Sequence, residues 1–296
     1  DVEHAQERGC DFTANARPSR RYSSDRARTS RRRADHVAPV ARMRVGLASL
    51  LRTVPLLMST TERGAYNSAV VWDVDGTLVE STDLGFEATN EVLARGGHAQ
   101  ISRADYLLGC RYTTPDRFSF HVGEEIPNGE RGAALGADFD ATYVARVSAS
   151  TAGLFPGIER LLRSLALAGH PQGALSNAAG AYVQAVLAAN ELEEVPGERM
   201  ALFGVALGAD EVPAGKPAPD GLQKCCAALR AEPGFSVYVG DSPSDGKAAR
   251  AAGMKAVGVL WGANGEEALR PHFDELAADV DELIGALRRQ LGDEKA

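Results

Sequence analysis

Cysteine and long apolar runs are scarce in this chain of 296 residues. None of the four cysteines belongs to a C-x-x-C pair; they are Cys10, Cys110, Cys225 and Cys226. Their spacing argues against a disulfide framework or a thiolate metal site and favours free thiols in a reducing compartment. The apolar stretch 45–58 is too short to span a bilayer and is interrupted by Arg52 and Pro55. We therefore predict no membrane partner.

Lysine is absent from residues 1–63, which hold 13 arginines and seven acidic residues. The chain as a whole carries −8, so this +6 segment leaves −14 on the remainder. A region with this much negative charge is poorly suited to bind nucleic acid, so we predict no nucleic-acid partner for residues 64–296. Residues 1–66 have no apolar periodicity, and their composition predicts a disordered or targeting tail. A nucleic-acid-binding arm is the alternative for this tail.

The tail also bears on the start site and the location of the protein. The sequence begins with Asp1, and both Met43 and Met58 are candidate starts. Residues 43–61 contain two arginines, several hydroxyl residues and no acid, which resembles an organellar transit peptide. We predict a cytoplasmic protein, with a plastid or mitochondrion as the alternative.

Short apolar runs alternate with helical patterns along the body of the chain. The predicted strands are 69–75, 172–175, 201–205, 236–239 and 256–259. This alternation predicts an α/β fold with a doubly wound parallel sheet. Between the first strand and residue 154 only helical pieces occur, near 86–95, 102–108 and 139–150. We therefore divide the chain into a tail (1–66), an α/β core (67–82 and 152–296) and an inserted helical module (83–151).

Two aspartates follow the first predicted strand. Asp73 and Asp75 are two residues apart, a spacing that places side chains on the same side of a strand. The carboxyl ends of parallel strands are where ligands bind. Two converging carboxylates repel each other unless a cation is present, and such a pair suits a nucleophile beside a general acid. An ordinary Asp-Gly turn is the alternative.

Further polar residues stand at or just beyond later strand ends: Ser176, Asn177, Lys216, Asp241 and Asp245. Each has an ordinary alternative when taken alone. A serine after a strand is often a helix N-cap, a Lys-Pro pair is often a surface turn, and a loop aspartate often has no special role. Their occurrence in this order makes a coincidence far less probable than a common site.

The polar residues fall into four clusters along the sequence: Asp73/Asp75, Ser176/Asn177, Lys216 and Asp241/Asp245. Together, these clusters resemble the haloacid dehalogenase superfamily over about residues 68–290. The motifs are Asp73-Val-Asp75-Gly-Thr77, Leu175-Ser176-Asn177, Lys216-Pro217 and Gly240-Asp241-Ser-Pro-Ser-Asp245. The resemblance implies a Rossmann-like core with an inserted helical cap. Trp72, in place of the more usual Phe, and Glu80, in place of a frequent Asp, are mild departures.

The resemblance implies a role for each site residue. Asp73 would be the nucleophile that forms an aspartyl-phosphate, and Asp75 the acid and then the base. Lys216 would offset negative charge in the transition state.

The resemblance also implies a Mg²⁺ ion as cofactor. Asp73, the backbone carbonyl of Asp75 and Asp241 would hold the ion, and Asp245 would support them. The residues that would bind phosphoryl oxygens are Ser176, Asn177, Gly76 and Thr77.

Asp75 favours phosphoryl transfer, because dehalogenases of the superfamily lack an acid at this position. The chain looks most like the phosphoglycolate phosphatase-like subgroup, whose substrate would be 2-phosphoglycolate or a sugar phosphate. A sugar-phosphate mutase of the β-phosphoglucomutase type is the runner-up, although residues 76–97 lack the expected His. An inactive binding or regulatory member is the alternative of another class. Arg111 and Arg117 are candidates for pairing with a substrate carboxylate, with exposed surface arginines as the alternative.

Overall fold

The computed structural model describes residues 68–127, 129–194, 197 and 201–292. The predicted tail lies outside the described residues, together with the hypotheses of a nucleic-acid-binding arm and a transit peptide. No helix in the described part of the chain combines the length and apolar character needed to cross a bilayer.

Eight strands form two sheets in the described part of the chain. They are β1 (Val70–Trp72), β2 (Val79–Glu80), β3 (Gly153–Leu154), β4 (Gln172–Leu175), β5 (Val205–Leu207), β6 (Val237–Gly240), β7 (Lys255–Val259) and β8 (Glu275–Ala277). Six of them make a parallel sheet in the order β5-β4-β1-β6-β7-β8. The short strands β2 and β3 pair antiparallel. The predicted parallel α/β architecture is confirmed.

Ten α-helices accompany these strands in the same described ranges. They are α1 (Thr82–Arg95), α2 (Arg103–Gly109), α3 (Thr114–Val122), α4 (Glu130–Val144), α5 (Ile158–Leu167), α6 (Gly180–Ala189), α7 (Asp220–Leu229), α8 (Pro243–Ala252), α9 (Glu266–Leu269) and α10 (Val280–Leu291). Helices α1 to α4 lie between β2 and β3 in the chain, and we call them the cap.

Strand β1 occupies the centre of the sheet because all of its residues are apolar and fully buried. Val70 and Trp72 belong to one apolar core, and Val71 belongs to another. Successive strand residues alternate between the two faces of the sheet, so β1 contributes to both. Helices α5, α6 and α10 cover the first face, and α7 and α8 cover the second. Both faces of the sheet are therefore covered by helices at the end of β1, just before Asp73 and Asp75.

The cap shares an apolar core with the first face of the sheet. Phe118 on α3 and Phe139 on α4 lie 5.5 Å apart between ring centroids and belong to the same buried cluster as Trp72. Helix α2 begins at the N-cap Ser102, whose hydroxyl oxygen accepts the amide of Asp105. The chain enters and leaves the cap through β2 and β3.

Several predicted elements differ from the structure. The strand predicted at 201–205 begins at Val205, because Leu202 bonds instead to the turn at Glu193 through its amide. The helix predicted at 139–150 spans Glu130–Val144. Helix α3, which starts with Thr-Pro, is not among the predicted elements, although proline is well tolerated in a first helical turn. Strand β8, which has only three residues, is also not among them.

Candidate active site

The polar residues that follow β1, β4 and β6 meet at one edge of the sheet. The amide of Asp73 donates to the Val239 carbonyl over 2.8 Å, and the amide of Ser176 donates to the Leu207 carbonyl over 3.1 Å. These bonds extend the hydrogen-bond pattern of the sheet by one residue beyond β1 and β4. They therefore fix the backbone positions from which the Asp73 and Ser176 side chains project. The structure therefore brings the predicted clusters together, as expected for the carboxyl ends of parallel strands.

Lys216 forms the centre of a buried ion network. Its Nζ lies 2.5 Å from Asp73 Oδ1 and 2.7 Å from Asp245 Oδ1. It also donates to the Tyr238 hydroxyl over 3.0 Å. Burial opposes the charge on Lys216, but the carboxylates of Asp245 and Asp73 raise the pKa of its ammonium group above the ordinary value. Lys216 is therefore held as a cation directly beside the proposed nucleophile.

Asp245 is engaged on both of its carboxylate oxygens. Oδ1 accepts from Lys216 and from the Tyr238 hydroxyl at 3.2 Å. Oδ2 accepts from the Ser242 amide at 2.9 Å and from the Ser242 hydroxyl at 2.7 Å. Ser242 is the N-cap of α8, so Asp245 completes a capping box. Both oxygens already have partners, which favours a supporting role for this residue.

The carboxylate of Asp241 is packed closely against the backbone at two glycines. Its Oδ2 accepts the Ala263 amide at 2.6 Å. A Cβ atom built at Gly76 or Gly262 would lie 2.3 Å or 2.2 Å from that same oxygen. Gly76 also has φ +77°, a conformation that disfavours other residues. The two glycines therefore let the backbone approach the carboxylate from both sides.

The carboxylates of Asp73, Asp241 and Asp245 form a buried group that fits a divalent cation. Their ligand atoms lie within 4.8 Å of one another. Burial, and next the charge of Asp245, raise the pKa of Asp73 well above its ordinary value and that of Asp241 to about 7. Lys216 supplies one positive charge for three carboxyl groups, so charge and oxygen donors both suit Mg²⁺. Asp73 and Asp241 would hold the ion, and Asp245 would support them.

Asp75 has a separate set of partners. Its Oδ1 accepts from Tyr182 at 2.5 Å, Ser81 at 2.6 Å and Tyr143 at 3.2 Å. Its Oδ2 accepts from Ser176 at 3.1 Å. We predicted that the two aspartates point to the same spot, but the carboxylate of Asp75 is not part of the three-carboxylate group. Strand β1 ends at Trp72, so the alternation of a strand does not extend to Asp75.

Two stacked tyrosines place the cap against Asp75. Tyr143 belongs to α4 of the cap and Tyr182 to α6 of the core, and their ring centroids lie 4.2 Å apart. The two hydroxyl oxygens lie 3.1 Å apart. Burial and the charge of Asp75 raise the pKa of both phenols well above the ordinary value, so both remain donors. Neither tyrosine is among the predicted site residues, since nothing in the local sequence pattern of either helix indicates the pair.

Asn177 positions Lys216 by hydrogen bonds to its backbone. The side chain accepts the Lys216 amide at 2.8 Å and donates to the Lys216 carbonyl over 3.0 Å. Ser176 accepts the Ala178 amide at 3.0 Å as well as donating to Asp75. Ser176 is not the N-cap of the next helix, because α6 starts at Gly180. The phosphoryl contacts of Ser176 and Asn177 stay predictions.

Two backbone amides in the turn after Asp75 are hydrogen-bonded to carbonyl groups close to them in the chain. The Gly76 amide donates to the Val79 carbonyl over 2.9 Å, and the Thr77 amide to the Val74 carbonyl over 3.4 Å. The Thr77 hydroxyl donates to Asp73 Oδ2 over 3.4 Å. These bonds close the turn, so the predicted phosphoryl contacts of the two amides compete with bonds already made.

The two cap arginines differ in exposure. Arg111 is exposed, and its guanidinium carbon lies 4.8 Å from the Tyr112 ring centroid and 5.7 Å from that of Phe120. Arg117 is buried in the cap interior. The alternative of an exposed surface arginine therefore applies to Arg111 alone.

Replacement of Gly262 by alanine is expected to weaken Mg²⁺ binding. The new methyl group would lie 2.2 Å from Asp241 Oδ2 and displace this carboxylate. Changes to groups that orient a metal ligand cost about 10–100-fold in affinity. Gly265→Ala is the matched control in the same loop, because its Cβ would meet nothing within 4 Å. Calorimetric titration with Mg²⁺ measures both, and equal affinities would contradict the placement of Asp241 in the metal site.

The stabilisation that Mg²⁺ gives is expected to increase with pH. The pKa of Asp241 is raised in the folded metal-free protein to about 7. An acid with a raised folded pKa loses its contribution to stability as pH rises from about 4 through that value. Mg²⁺ binds the deprotonated carboxylate, so the increase in Tm on adding Mg²⁺ should be larger at about pH 8 than at about pH 5. An increase independent of pH would contradict this prediction.

Comparisons with known proteins show the family to which the chain belongs. The profile of the family described as haloacid dehalogenase-like hydrolase matches residues 70–259. A curated phosphoglycolate phosphatase from Cereibacter sphaeroides is 31% identical over 224 residues, which cover 75% of this chain and 98% of that protein.

Two solved structures share the fold. CbbY from Rhodobacter sphaeroides, in complex with xylulose-(1,5)-bisphosphate, has a TM-score of 0.60 at 22% identity and covers 73% of this chain and 96% of its own. A β-phosphoglucomutase from Clostridium difficile has a TM-score of 0.62 at 16% identity and covers 77% and 98%. At these identities the structures show the fold alone. By its sequence match, the chain belongs to the haloacid dehalogenase-like hydrolase family.

Proposed function

We propose that the protein is a Mg²⁺-dependent phosphatase that hydrolyses a small phosphate monoester through an aspartyl-phosphate. The observation that carries this proposal is the division of the two aspartates. Asp73 lies beside Lys216 in a buried group of carboxylates, whereas Asp75 lies apart among hydroxyl donors. Two carboxyl groups with different surroundings suit two different roles in one reaction.

Asp73 attacks the phosphorus atom through a carboxylate oxygen. The ester oxygen leaves as the new bond between Asp73 and phosphorus forms. Lys216, 2.5 Å from Asp73 Oδ1, stabilises the negative charge that collects on the phosphoryl oxygens. Its backbone is fixed by Asn177, so the ammonium group is already in place before the substrate binds.

Asp75 donates a proton to the leaving oxygen and then accepts one from the water that hydrolyses the aspartyl-phosphate. The hydroxyls of Ser81, Ser176 and Tyr182 hold its carboxylate from the core. The Tyr143 hydroxyl, which donates to it from the cap, makes the position of Asp75 depend on the cap.

The magnesium ion, when bound by Asp73 and Asp241, supplies positive charge to the phosphoryl group. Asp245 orders this region through Lys216 and Ser242. The chain carries a net charge of −8, so local cations are needed where an anionic ester binds.

The relatives support a small phosphorylated metabolite as the substrate. The Cereibacter sphaeroides relative is named a phosphoglycolate phosphatase and spans 75% of this chain. We therefore propose 2-phosphoglycolate as the first candidate. The xylulose bisphosphate bound to CbbY supports sugar phosphates as the second candidate.

The mutase hypothesis is the runner-up from the family resemblance, and the likeness to β-phosphoglucomutase shows only that the fold is shared. Residues 76–97 contain no histidine, which argues against it. The hypothesis of an inactive binding protein is disfavoured by the ion network around Asp73, which retains Lys216, Asp241 and Asp245.

The function is tested by an assay of p-nitrophenyl phosphate with and without Mg²⁺, followed by a panel of phosphate esters. Turnover that chelation abolishes and Mg²⁺ restores is the expected result. Isomerised sugar phosphate without free phosphate would instead indicate the mutase. An intact protein that turns over none of the common phosphate esters would overturn the enzyme assignment. If 2-phosphoglycolate ranks far below the sugar phosphates, the narrow substrate proposal is wrong.

A further inference from the structure

The two carboxylate oxygens of Asp75 have different numbers of partners. Three hydroxyl groups hydrogen-bond to Oδ1, those of Tyr182 at 2.5 Å, Ser81 at 2.6 Å and Tyr143 at 3.2 Å. Among the described residues, the Ser176 hydroxyl alone hydrogen-bonds to Oδ2, over 3.1 Å. A carboxylate oxygen has two lone pairs, so Oδ1 is fully engaged and Oδ2 can accept a further bond. Oδ2 is therefore the oxygen of Asp75 that is available to react.

The two tyrosines that bind Oδ1 are themselves held in place by stacking. Tyr182 and Tyr143 are both buried, and their rings are nearly parallel, with 14° between their planes and 4.2 Å between their centroids. The Phe139 ring lies 4.7 Å from that of Tyr143 on the same helix. Packing of this kind restricts the rotation of a phenol, and a buried hydroxyl needs a hydrogen-bond partner. The pair therefore fixes the position of Oδ1 from two different layers of the fold.

Tyr143 belongs to the cap, and the cap contacts the core a second time beside Lys216. Thr113, the N-cap residue of α3, has its methyl carbon 2.6 Å from a Cβ built at Gly215. Real Cβ atoms essentially never lie this close to another atom, so only glycine at 215 permits the observed contact. Helix α3 is packed against α4, which carries Tyr143. The contact at Gly215 thus sets how closely Tyr143 approaches Asp75.

We propose that Tyr182 and Tyr143 are positioning residues that hold Oδ1 of Asp75 so that Oδ2 meets the reacting oxygen atoms, and that Gly215 allows the cap to bring Tyr143 within reach. This proposal rests on the proposed phosphatase function and deepens it. In the first step, a proton passes from Oδ2 to the ester oxygen as the bond between that oxygen and phosphorus breaks. In the second, water gives a proton to Oδ2, its oxygen bonds to phosphorus, and the bond from phosphorus to Asp73 breaks.

Displacement of Asp75 should affect phosphate esters according to their leaving groups. Nitrophenolate is a weak base and leaves without a proton, whereas an alkoxide needs one. A misplaced Asp75 should therefore slow the first step for an alkyl ester but not for p-nitrophenyl phosphate. The second step starts from the same aspartyl-phosphate and should be slowed equally for both. Because kcat/KM covers the steps up to release of the first product, its ratio for the two esters reports the position of Asp75.

The test uses Tyr182→Phe, which keeps the stacked ring and removes the hydroxyl. Loss of a hydrogen bond to a charged group corresponds to about tenfold or more. We expect kcat/KM for 2-phosphoglycolate, or for the best alkyl ester of the panel, to fall by about tenfold. For p-nitrophenyl phosphate it should stay within about twofold of the wild-type value. Decay of the aspartyl-phosphate, followed by rapid quench, should slow by about tenfold.

Tyr143→Phe should give the same pattern with a smaller change of about threefold, because its bond to Asp75 is longer at 3.2 Å. Tyr112→Phe is the matched control in the same cap. The Tyr112 ring packs against that of Phe120, with 5.5 Å between centroids, and lies outside the Asp75 network. Its ester ratio and its rate of aspartyl-phosphate decay should equal those of the wild type.

Gly215→Ala tests the contact between cap and core. The new methyl group would meet the Thr113 methyl, so the ester ratio should shift in the same direction as for Tyr143→Phe. Adding Thr113→Ser removes the opposing methyl, keeps the hydroxyl that donates to Asp116 over 3.2 Å, and should restore most of the wild-type ratio. Gly234→Ala is the control, since its Cβ would meet nothing within 4 Å.

An unchanged ester ratio and decay rate in Tyr182→Phe would overturn the positioning role, as would equal losses of kcat/KM on the two esters. Failure of Thr113→Ser to restore the ratio would overturn the role of Gly215. A partly unfolded variant lowers kcat/KM for both esters by the same factor, so the ratio remains a valid test if a variant folds poorly. A wild-type enzyme that hydrolyses neither ester would contradict the proposed function and this proposal together, whereas an active wild type with unaffected variants would contradict this proposal alone.

Discussion

Asp73→Asn is expected to reduce phosphatase turnover by several orders of magnitude, up to about 10⁶-fold, which is the loss seen when a covalent enzyme loses its nucleophile. Asparagine keeps the shape of the side chain but offers an amide in place of the attacking carboxylate oxygen. It also removes one of three mutually repelling buried carboxyl groups. The variant should therefore remain folded while it loses activity, as measured by single-turnover kinetics and by Tm.

Asp83→Asn is the matched control for this change. Asp83 lies in the first turn of α1, ten residues further along the chain, and its side chain is 78% exposed in an ion pair with Arg103. An exposed pair of this kind contributes little to stability, so turnover and Tm should stay near wild-type values. Near-normal turnover by Asp73→Asn would show that the mechanism is wrong.

Lys216→Met is expected to reduce both activity and stability. Removal of one partner of a buried ion pair costs about 3–5 kcal/mol, because the remaining charge is left uncompensated. Here Asp73 and Asp245 would both lose their cation. Turnover should fall by about 10²–10³-fold, as for loss of a group that stabilises developing charge. Urea unfolding gives the free energy of unfolding, and steady-state kinetics gives the turnover.

The loss of stability in Lys216→Met should depend on pH. Without the ammonium group, the carboxyl groups of the site are stabilised in their protonated forms, so the variant should unfold most readily at high pH and recover on acidification. Lys224→Met is the matched control, since Lys224 is exposed on α7 and donates to the Glu211 carbonyl over 2.7 Å. Equal free energies of unfolding for the wild type and Lys216→Met would contradict the role of Lys216 as the central cation.

The parts of the site that lie on strand ends could be predicted from the sequence. Asp73 and Asp241 each follow a buried apolar strand, and parallel strands end at the same edge. Lys216 was harder to place, because a Lys-Pro pair in a loop has no structural signature of its own. Only the order of the motifs, and the family resemblance that it carries, brought Lys216 to Asp73.

The surroundings of Asp75 could not be predicted. Tyr143 and Tyr182 are 39 residues apart and belong to different layers of the fold. Their stacking depends on how the cap packs against the core, which helical periodicity does not determine. The same holds for Arg117 and Arg111, which are alike in sequence but opposite in burial. The partners of Asp75 and the burial of the two arginines thus depend on tertiary packing, whereas the positions of Asp73 and Asp241 follow from the strands that precede them.

The pairing of β2 with β3 brings the two ends of the cap together, so the cap is one continuous insertion in the chain. In its packing, however, the cap is not independent of the rest of the protein. Val79 lies opposite Leu154, so the two ends of a long insertion are neighbours, and the order of strands in the parallel sheet does not depend on what lies between them. Insertions whose two ends lie close together are readily tolerated by the domain that receives them. Phe118, Phe139 and Tyr143 nevertheless belong to the same apolar core as Trp72. A transplanted cap would therefore fit the chain path of a new host yet require a matching apolar surface beneath it.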